Sequence, residues 1–138
     1  MITAKVVRTR RKTIRPPQQD VYAKVGLFGE EAGKGVLNEF GTGCIPERPF
    51  MRNAIRENRD SYRRALKVGA AMVLRGDASM EAIVRRLGEQ AEGDIRAMID
   101  ALRSPPNTES TLASKKGSNP LVDEGQMKAA VKSKVVRR

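Results

Sequence analysis

Between Glu39 and Asn58 the chain carries the punctuation that most limits how it can fold. Gly41 and Gly43 permit turn conformations that side chains oppose, and Pro46 and Pro49 each hold the preceding residue out of the helical region. Pro49 also suits a first helical turn, where a missing N–H costs nothing. An element bearing Phe40 therefore ends at a stiff turn, and a new helix opens near Pro49. That helix sends Phe50 and Met51 into the core at a set angle. Two of the chain's three Phe residues lie in this short stretch.

From Pro49 the period is helical to about Leu74. Met51, Ile55, Tyr62, Leu66, Gly69 and Val73 form an apolar stripe, and Gly76-Asp77 closes the helix. A second stripe of Arg52, Arg56, Arg59, Arg63 and Lys67 runs beside it, covering about 80° of the circumference at roughly 100° per residue. Ser79 is placed to cap the next helix. There Met80, Ile83, Val84, Leu87, Ala91, Ile95, Met98, Ile99 and Leu102 recur at helical spacing, with Ile83, Leu87, Ile95 and Ile99 expected in the core. Gly88 and Gly93 interrupt this pattern at about 1 kcal/mol each, which points to close packing contacts. Two main helices, about 49–74 and 79–103, are thus predicted.

Alternation and β-branched residues predict strands near 2–9, 21–28 and 131–137. In the second, Val21, Ala23, Val25 and Leu27 share one face. Residues 29–35 read as a turn-rich connection, and 35–40 as a short strand or a single helical turn. Ser104-Pro105-Pro106 stops the second helix. A long polar loop, 104–120, follows, with a short helix over 108–116 as one reading and Asp123 as a later cap. The expected fold is α+β, a single domain over 1–138 in which a small antiparallel sheet packs against the two helices. No internal repeat stands out.

The formal net charge is +11, and it is entirely terminal. Lys5, Arg8, Arg10, Arg11, Lys12 and Arg15 lie in an arm without acids over 1–15. Lys128, Lys132, Lys134, Arg137 and Arg138 lie in another over 128–138. The residues between hold 16 basic and 16 acidic side chains. Such arms seek phosphate or an acidic partner, or guard sheet edges against unwanted pairing. Neither arm interleaves an aromatic that could stack on a base, so DNA would be met through its backbone. The chain has no histidine and one cysteine. This removes the commonest general base, the commonest transition-metal ligand and any internal disulfide. Gly33-Lys34-Gly35 lacks the rest of a phosphate-loop pattern. The residues point to a binding protein rather than an enzyme, with no cofactor, and to the reducing cytoplasm as the place of synthesis.

Glu39, then Phe40-Gly41-Thr42, then Pro46-Glu47-Arg48-Pro49-Phe50-Met51-Arg52 resembles the tail-completion, or head–tail connector, family of long-tailed bacteriophages. Its members typically show an acidic residue, Phe-Gly-Thr, and Pro-x-Arg-Pro-Phe-Leu-Arg opening a long helix. A second segment, Pro120-Leu121-Val122-Asp123-Glu124-Gly125-Gln126-Met127, is similar to the family's Pro-Leu-x-Asp-Thr-Gly-x-Leu, with Glu124 in place of Thr and Met127 in place of Leu.

The resemblance implies an α+β connector fold and a virion structural protein at the head–tail junction, assembled in the host cytoplasm. It would complete the tail and join it to the head connector or adaptor as a homo-oligomeric ring on the tail tube or tail terminator. Six copies would match a tube, twelve being the alternative, and DNA would pass through the lumen. Candidate subunit or partner contacts are Ile45, Arg48, Arg52, Arg56, Arg59, Arg63, Lys115 and Lys116. For Phe50 and Met51 a structural role is the stronger reading, while for Arg48 the question stays open. Candidate DNA-backbone or channel-facing residues are Lys5, Arg8, Arg10, Arg11, Lys12, Lys132, Lys134, Arg137 and Arg138. A small basic protein binding nucleic acid nonspecifically is the other reading. It accounts for the charge but not for the Phe40–Arg52 segment.

Overall fold

The longest periodic segment of the sequence becomes the spine of the molecule. In a computed structural model, which describes residues 20–102 and 125–138, seven elements follow in order. They are β1 (Val21–Leu27), α1 (Glu31–Phe40), α2 (Phe50–Glu57), α3 (Arg59–Arg75), α4 (Met80–Ala101), α5 (Gln126–Ala129) and β2 (Val131–Arg137). The predicted strand near 2–9, the loop 104–120 and the Asp123 cap lie outside the described residues.

α4 begins at the predicted cap, where Ser79 Oγ accepts from Ala82 N at 3.1 Å. Its apolar positions do what their spacing requires: Ile83, Val84, Ala91, Ile95 and Ile99 are buried. Leu87 differs from expectation and is only half-buried, in an open groove between α3 and α4. Ile95 and Ile99 join Phe50, Ala54, Met127 and Val131 in the main core cluster. Full burial of each large aliphatic side chain there contributes roughly 1.5–3 kcal/mol.

β1 and β2 form an antiparallel pair, with Val21 opposite Arg137, Val25 opposite Ser133 and Leu27 opposite Val131. The pair lies on α4 at Gly88, whose missing side chain leaves room for the Cβ atoms of Ala23 and Ser133. Gly88 is therefore the close contact its sequence position suggested, whereas Gly93 faces open space. Two α4 side chains one turn apart then fasten β2. Glu92 Oε2 accepts from Ser133 N at 2.8 Å, and Arg96 Nη2 donates to Val131 O at 2.9 Å. The two also pair with each other at 2.6 Å.

The single helix expected over 49–74 is two helices. At the break, Asn58 has φ −96° and ψ 7°, and both its backbone N and its side-chain Nδ2 donate to Ala54 O. A side-chain amide that competes for a helical carbonyl interrupts the ladder. α3 then packs on α4 through Gly69, where Ile83 occupies the space a Cβ would take. Tyr62 Oη donates to Asp94 Oδ2 at 2.6 Å along the same seam. α3 ends at Gly76, left-handed at φ 83°, with Asp77 N donating to Met72 O.

α1 is a second departure. Residues expected to form a turn and a short element make a ten-residue helix. Its Gly35 sits against the flexible end of Leu27, so this glycine serves close packing rather than a turn.

Candidate functional site

The end of α1 and the start of α2 are locked together by the residues that carry the sequence resemblance. Gly41 has φ 70°, and a Cβ there would meet Glu47 N at 2.9 Å, so the turn needs glycine. Thr42 N donates to Ile45 O at 2.8 Å, while Thr42 Oγ accepts from Ile45 N at 3.0 Å. This brings Arg48 back beneath α1, where its N donates to Asn38 O at 2.7 Å and its guanidinium to Asn38 Oδ1 at 3.3 Å. Phe50 is wholly buried.

The centre of this joint is Glu39, 1% exposed. Its carboxylate accepts from Met51 N at 2.9 Å and from Arg52 N and Nε at 3.0 Å. A carboxylate from one helix thus satisfies the orphan amides of the next, where the helix dipole favours negative charge. Arg52 completes the lock. Its Nη2 donates to Glu39 O at 2.6 Å and to the Glu47 carboxylate, and its guanidinium lies 5.0 Å from the centroid of the Phe40 ring. Glu47 first, and Glu39 next, hold the Arg52 pKa above its usual value. Burial pushes that of Arg48 down.

These placements correct part of the expected interface. Arg48 is 4% exposed and works inside its own chain, so it is not a surface contact. Arg52 is half-exposed but committed to Glu39, Glu47 and Phe40. Ile45 is half-buried within the turn. Arg56, Arg59, Arg63 and Lys67 are exposed. Of these, Arg56 reaches Asn53 Oδ1 at 2.7 Å and Arg63 lies 3.6 Å from Asp60. Lys115 and Lys116 lie outside the described residues.

Ile55 and Leu66, which the sequence places on one apolar stripe, are 42% and 49% exposed. The break at Asn58 separates Ile55 from the rest of the stripe, and within α3 it is Tyr62 and Gly69 that meet α4 while Leu66 lies off that contact. By helical spacing within α3, Leu66 and Leu74 share a flank with Arg59, Arg63 and Lys67, so the basic stripe is also an apolar one. α1 adds a surface that the sequence reading missed. Its inner side holds Gly35 and Glu39, and its outer side presents Val36, Leu37 and Phe40. The 36, 37, 40 spacing was a helical signal hidden by the flanking glycines.

The β1–β2 ribbon sorts the C-terminal basic residues. Ala23 and Ser133 face α4, so their alternates Lys24, Lys132 and Lys134 share the opposite face and are exposed. Tyr22 and Phe28 belong to that face as well, with Lys24 Nζ 5.9 Å from the Tyr22 ring centroid and Lys134 Nζ 4.3 Å from that of Phe28. Register thereby supplies aromatics that the arm itself lacks. Arg137 lies on the α4 side and pairs with Glu81, whose carboxyl pKa is lowered chiefly by that hydrogen bond. Arg138 is exposed beyond the strand end, and its N donates to Asp20 O at 2.9 Å. Lys5, Arg8, Arg10, Arg11 and Lys12 lie outside the described residues.

Among the described residues, no group of three or more Cys, Asp or Glu side chains is arranged to hold a metal ion, and no helix is long and apolar enough to cross a membrane. Cys44 is an exposed free thiol. Comparisons with protein-family models, curated proteins and solved structures returned no match.

Proposed function

We propose that this chain is a phage virion structural protein of the head–tail junction. In this reading it completes the tail and joins it to the head connector as a ring of identical copies, with DNA passing through the lumen. The observation that carries the reading is the Glu39–Arg52 joint. The residues that resemble the tail-completion family are not scattered: Glu39, Phe40, Gly41, Thr42, Arg48, Phe50 and Arg52 cooperate in one place.

The function is binding alone. Head-to-tail rings use two different surfaces per copy, and the chain has distinct candidates in α1 and the α2–α3 flank. The lysine face of the ribbon supplies charge suited to a phosphate backbone passing nearby.

The test is the native mass of the purified full chain, alone and mixed with tail tubes from a long-tailed phage, with tube ends imaged by electron microscopy. A ring seated on tube ends is the expected result. A chain that stays monomeric and ignores tubes overturns the reading.

A second reading is favoured by one specific observation, the lysine–aromatic face built by Tyr22, Lys24, Phe28, Lys132 and Lys134. It makes the chain a small basic protein that binds nucleic acid nonspecifically. Tight, salt-sensitive DNA binding with no affinity for tubes would select it.

A further inference from the structure

We propose that the outer side of α1 docks on the basic flank of α2 and α3 in a second copy of this chain. The proposal rests on the homo-oligomeric part of the reading above and names the two surfaces.

The first surface inverts the usual amphipathic pattern. A helix at the edge of a folded chain turns its apolar side inward. α1 instead buries Gly35 and Glu39 and leaves Val36, Leu37 and Phe40 exposed by 52%, 44% and 62%. A clustered apolar patch of this kind marks an interaction surface. The second surface comprises Ile55, Leu66 and Leu74, at 42%, 49% and 54%, on the flank that carries Arg59, Arg63 and Lys67.

Charge selects how the two surfaces pair. Of the four acidic residues in 28–47, Glu39 is buried and Glu47 is bonded to Arg52, so the surface charge beside the α1 patch is that of Glu30, Glu31 and Lys34, the last two paired at 2.8 Å. Residues 50–75, α2 and α3, contain six basic residues besides the committed Arg52, against two acidic ones. An α3–α3 contact would set base against base, whereas α1 brings a small acidic excess to the basic flank. The unlike pairing is complementary, and complementary fields favour one register while penalising the others. Because the two patches differ, the contact is heterologous and propagates around a ring. A single contact of this size is weak, and closure of the ring adds the avidity that one pair lacks.

Mixed-chain cross-linking tests this in full-length protein carrying Cys44→Ser. One preparation carries Leu37→Cys and the other Leu66→Cys, with Leu74→Cys as an alternative second site and circular dichroism as the folding check. The expected result is a mixed cross-linked dimer in excess over both like-with-like dimers, abolished when Val36→Arg is added to the first chain.

Like-with-like products that equal the mixed one overturn the pairing. So does an intrachain link in a dilute Leu37→Cys/Leu66→Cys chain, which would mean that the chain covers its own patch. Binding of anionic vesicles that Leu66→Glu abolishes would assign the flank to lipid instead. Oligomers by native mass without a mixed cross-link would overturn the docking while leaving the assembly reading intact. A monomer at every concentration, with and without tail tubes, would overturn both.

Discussion

Glu39 and Arg52 meet twice through one oxygen, Glu39 Oε1 accepting at 3.0 Å from both the backbone N and the side-chain Nε of Arg52. The contact is at once a helix cap and an ion pair. It joins α1 to α2 across a turn already held by the Thr42–Ile45 and Arg48–Asn38 hydrogen bonds. With Phe50 wholly buried immediately before it, the direction of α2 decides how that helix meets the core.

Replacing Glu39 with Ala leaves the Met51 and Arg52 amides and Arg52 Nε without their acceptor, while Arg52 Nη2 keeps the backbone O of residue 39 and Glu47. The expected cost is about 1–3 kcal/mol. Glu39→Gln should cost less, since an amide oxygen can still accept from Arg52 N and Nε while its NH2 faces the Met51 N–H. Urea denaturation measures both. A loss for Glu39→Ala within about 0.5 kcal/mol, the range of an ordinary surface change, would show that the cap contributes little.

Two glycines in long helices should answer oppositely to alanine. Gly93 faces open space, so Gly93→Ala should stabilise by up to about 1 kcal/mol through helix propensity. At Gly69 the new Cβ would fall 2.3 Å from Ile83 Cγ2. Ile83 is β-branched and buried, so it cannot swing aside as a long flexible side chain would. Gly69→Ala should therefore destabilise by about 1–3 kcal/mol, as overpacking does, despite the same propensity gain. Thermal melts of the two variants with matched wild type test the sign. Stabilisation by Gly69→Ala would mean that α3 and α4 have slack at this crossing.

Acid should loosen the end of β2. Glu81, at the start of α4, holds Arg137, and its folded pKa is lowered, first by that hydrogen bond and then by its charge interaction with Arg137. A lowered folded pKa means that the contribution is fully present above the ordinary carboxylate range and is lost as pH falls through the folded value. The stability gap between wild type and Glu81→Gln should accordingly be constant near neutrality and close in acid. Melts over a pH series read this directly. A gap that widens on acidification would contradict the assignment.

How much of this was readable from sequence depended on whether the signal was local. α4 was legible because its apolar period, its Ser79 cap and the Gly76 stop before it all agreed. The two described strands were legible from alternation. α1 was hidden because Gly33 and Gly35 read as turn residues, whereas Gly35 provides room for Leu27, a contact that no local pattern announces. The break at Asn58 depends on one side-chain hydrogen bond to Ala54 O within an otherwise continuous helical period. Glu39 and Arg48 were legible as parts of a motif but not in their roles, because burial of a charged side chain depends on partners supplied by other elements. Lys24 joined the basic residues only through register, being paired with Lys134 from the far end of the chain.

That register makes a last prediction about nucleic acid. Lys24, Lys132 and Lys134 share the exposed face of the ribbon, while Arg137 is turned to α4 and held by Glu81. Net charge alone would rank all four alike; geometry does not. If duplex DNA meets this protein, binding should show no sequence preference and weaken steeply with salt, as contact to phosphate alone requires. Changing Lys24, Lys132 and Lys134 together to Gln should reduce the steepness of the log K against log salt plot by about 0.9 for each phosphate no longer neutralised. Arg137→Gln should leave that slope unchanged and lower thermal stability instead. A slope that falls with Arg137→Gln, or stays fixed in the triple variant, would show that DNA does not use the ribbon face. A sequence preference above about tenfold, a difference of roughly 1.4 kcal/mol, would point to base readout, which this face is not built to perform.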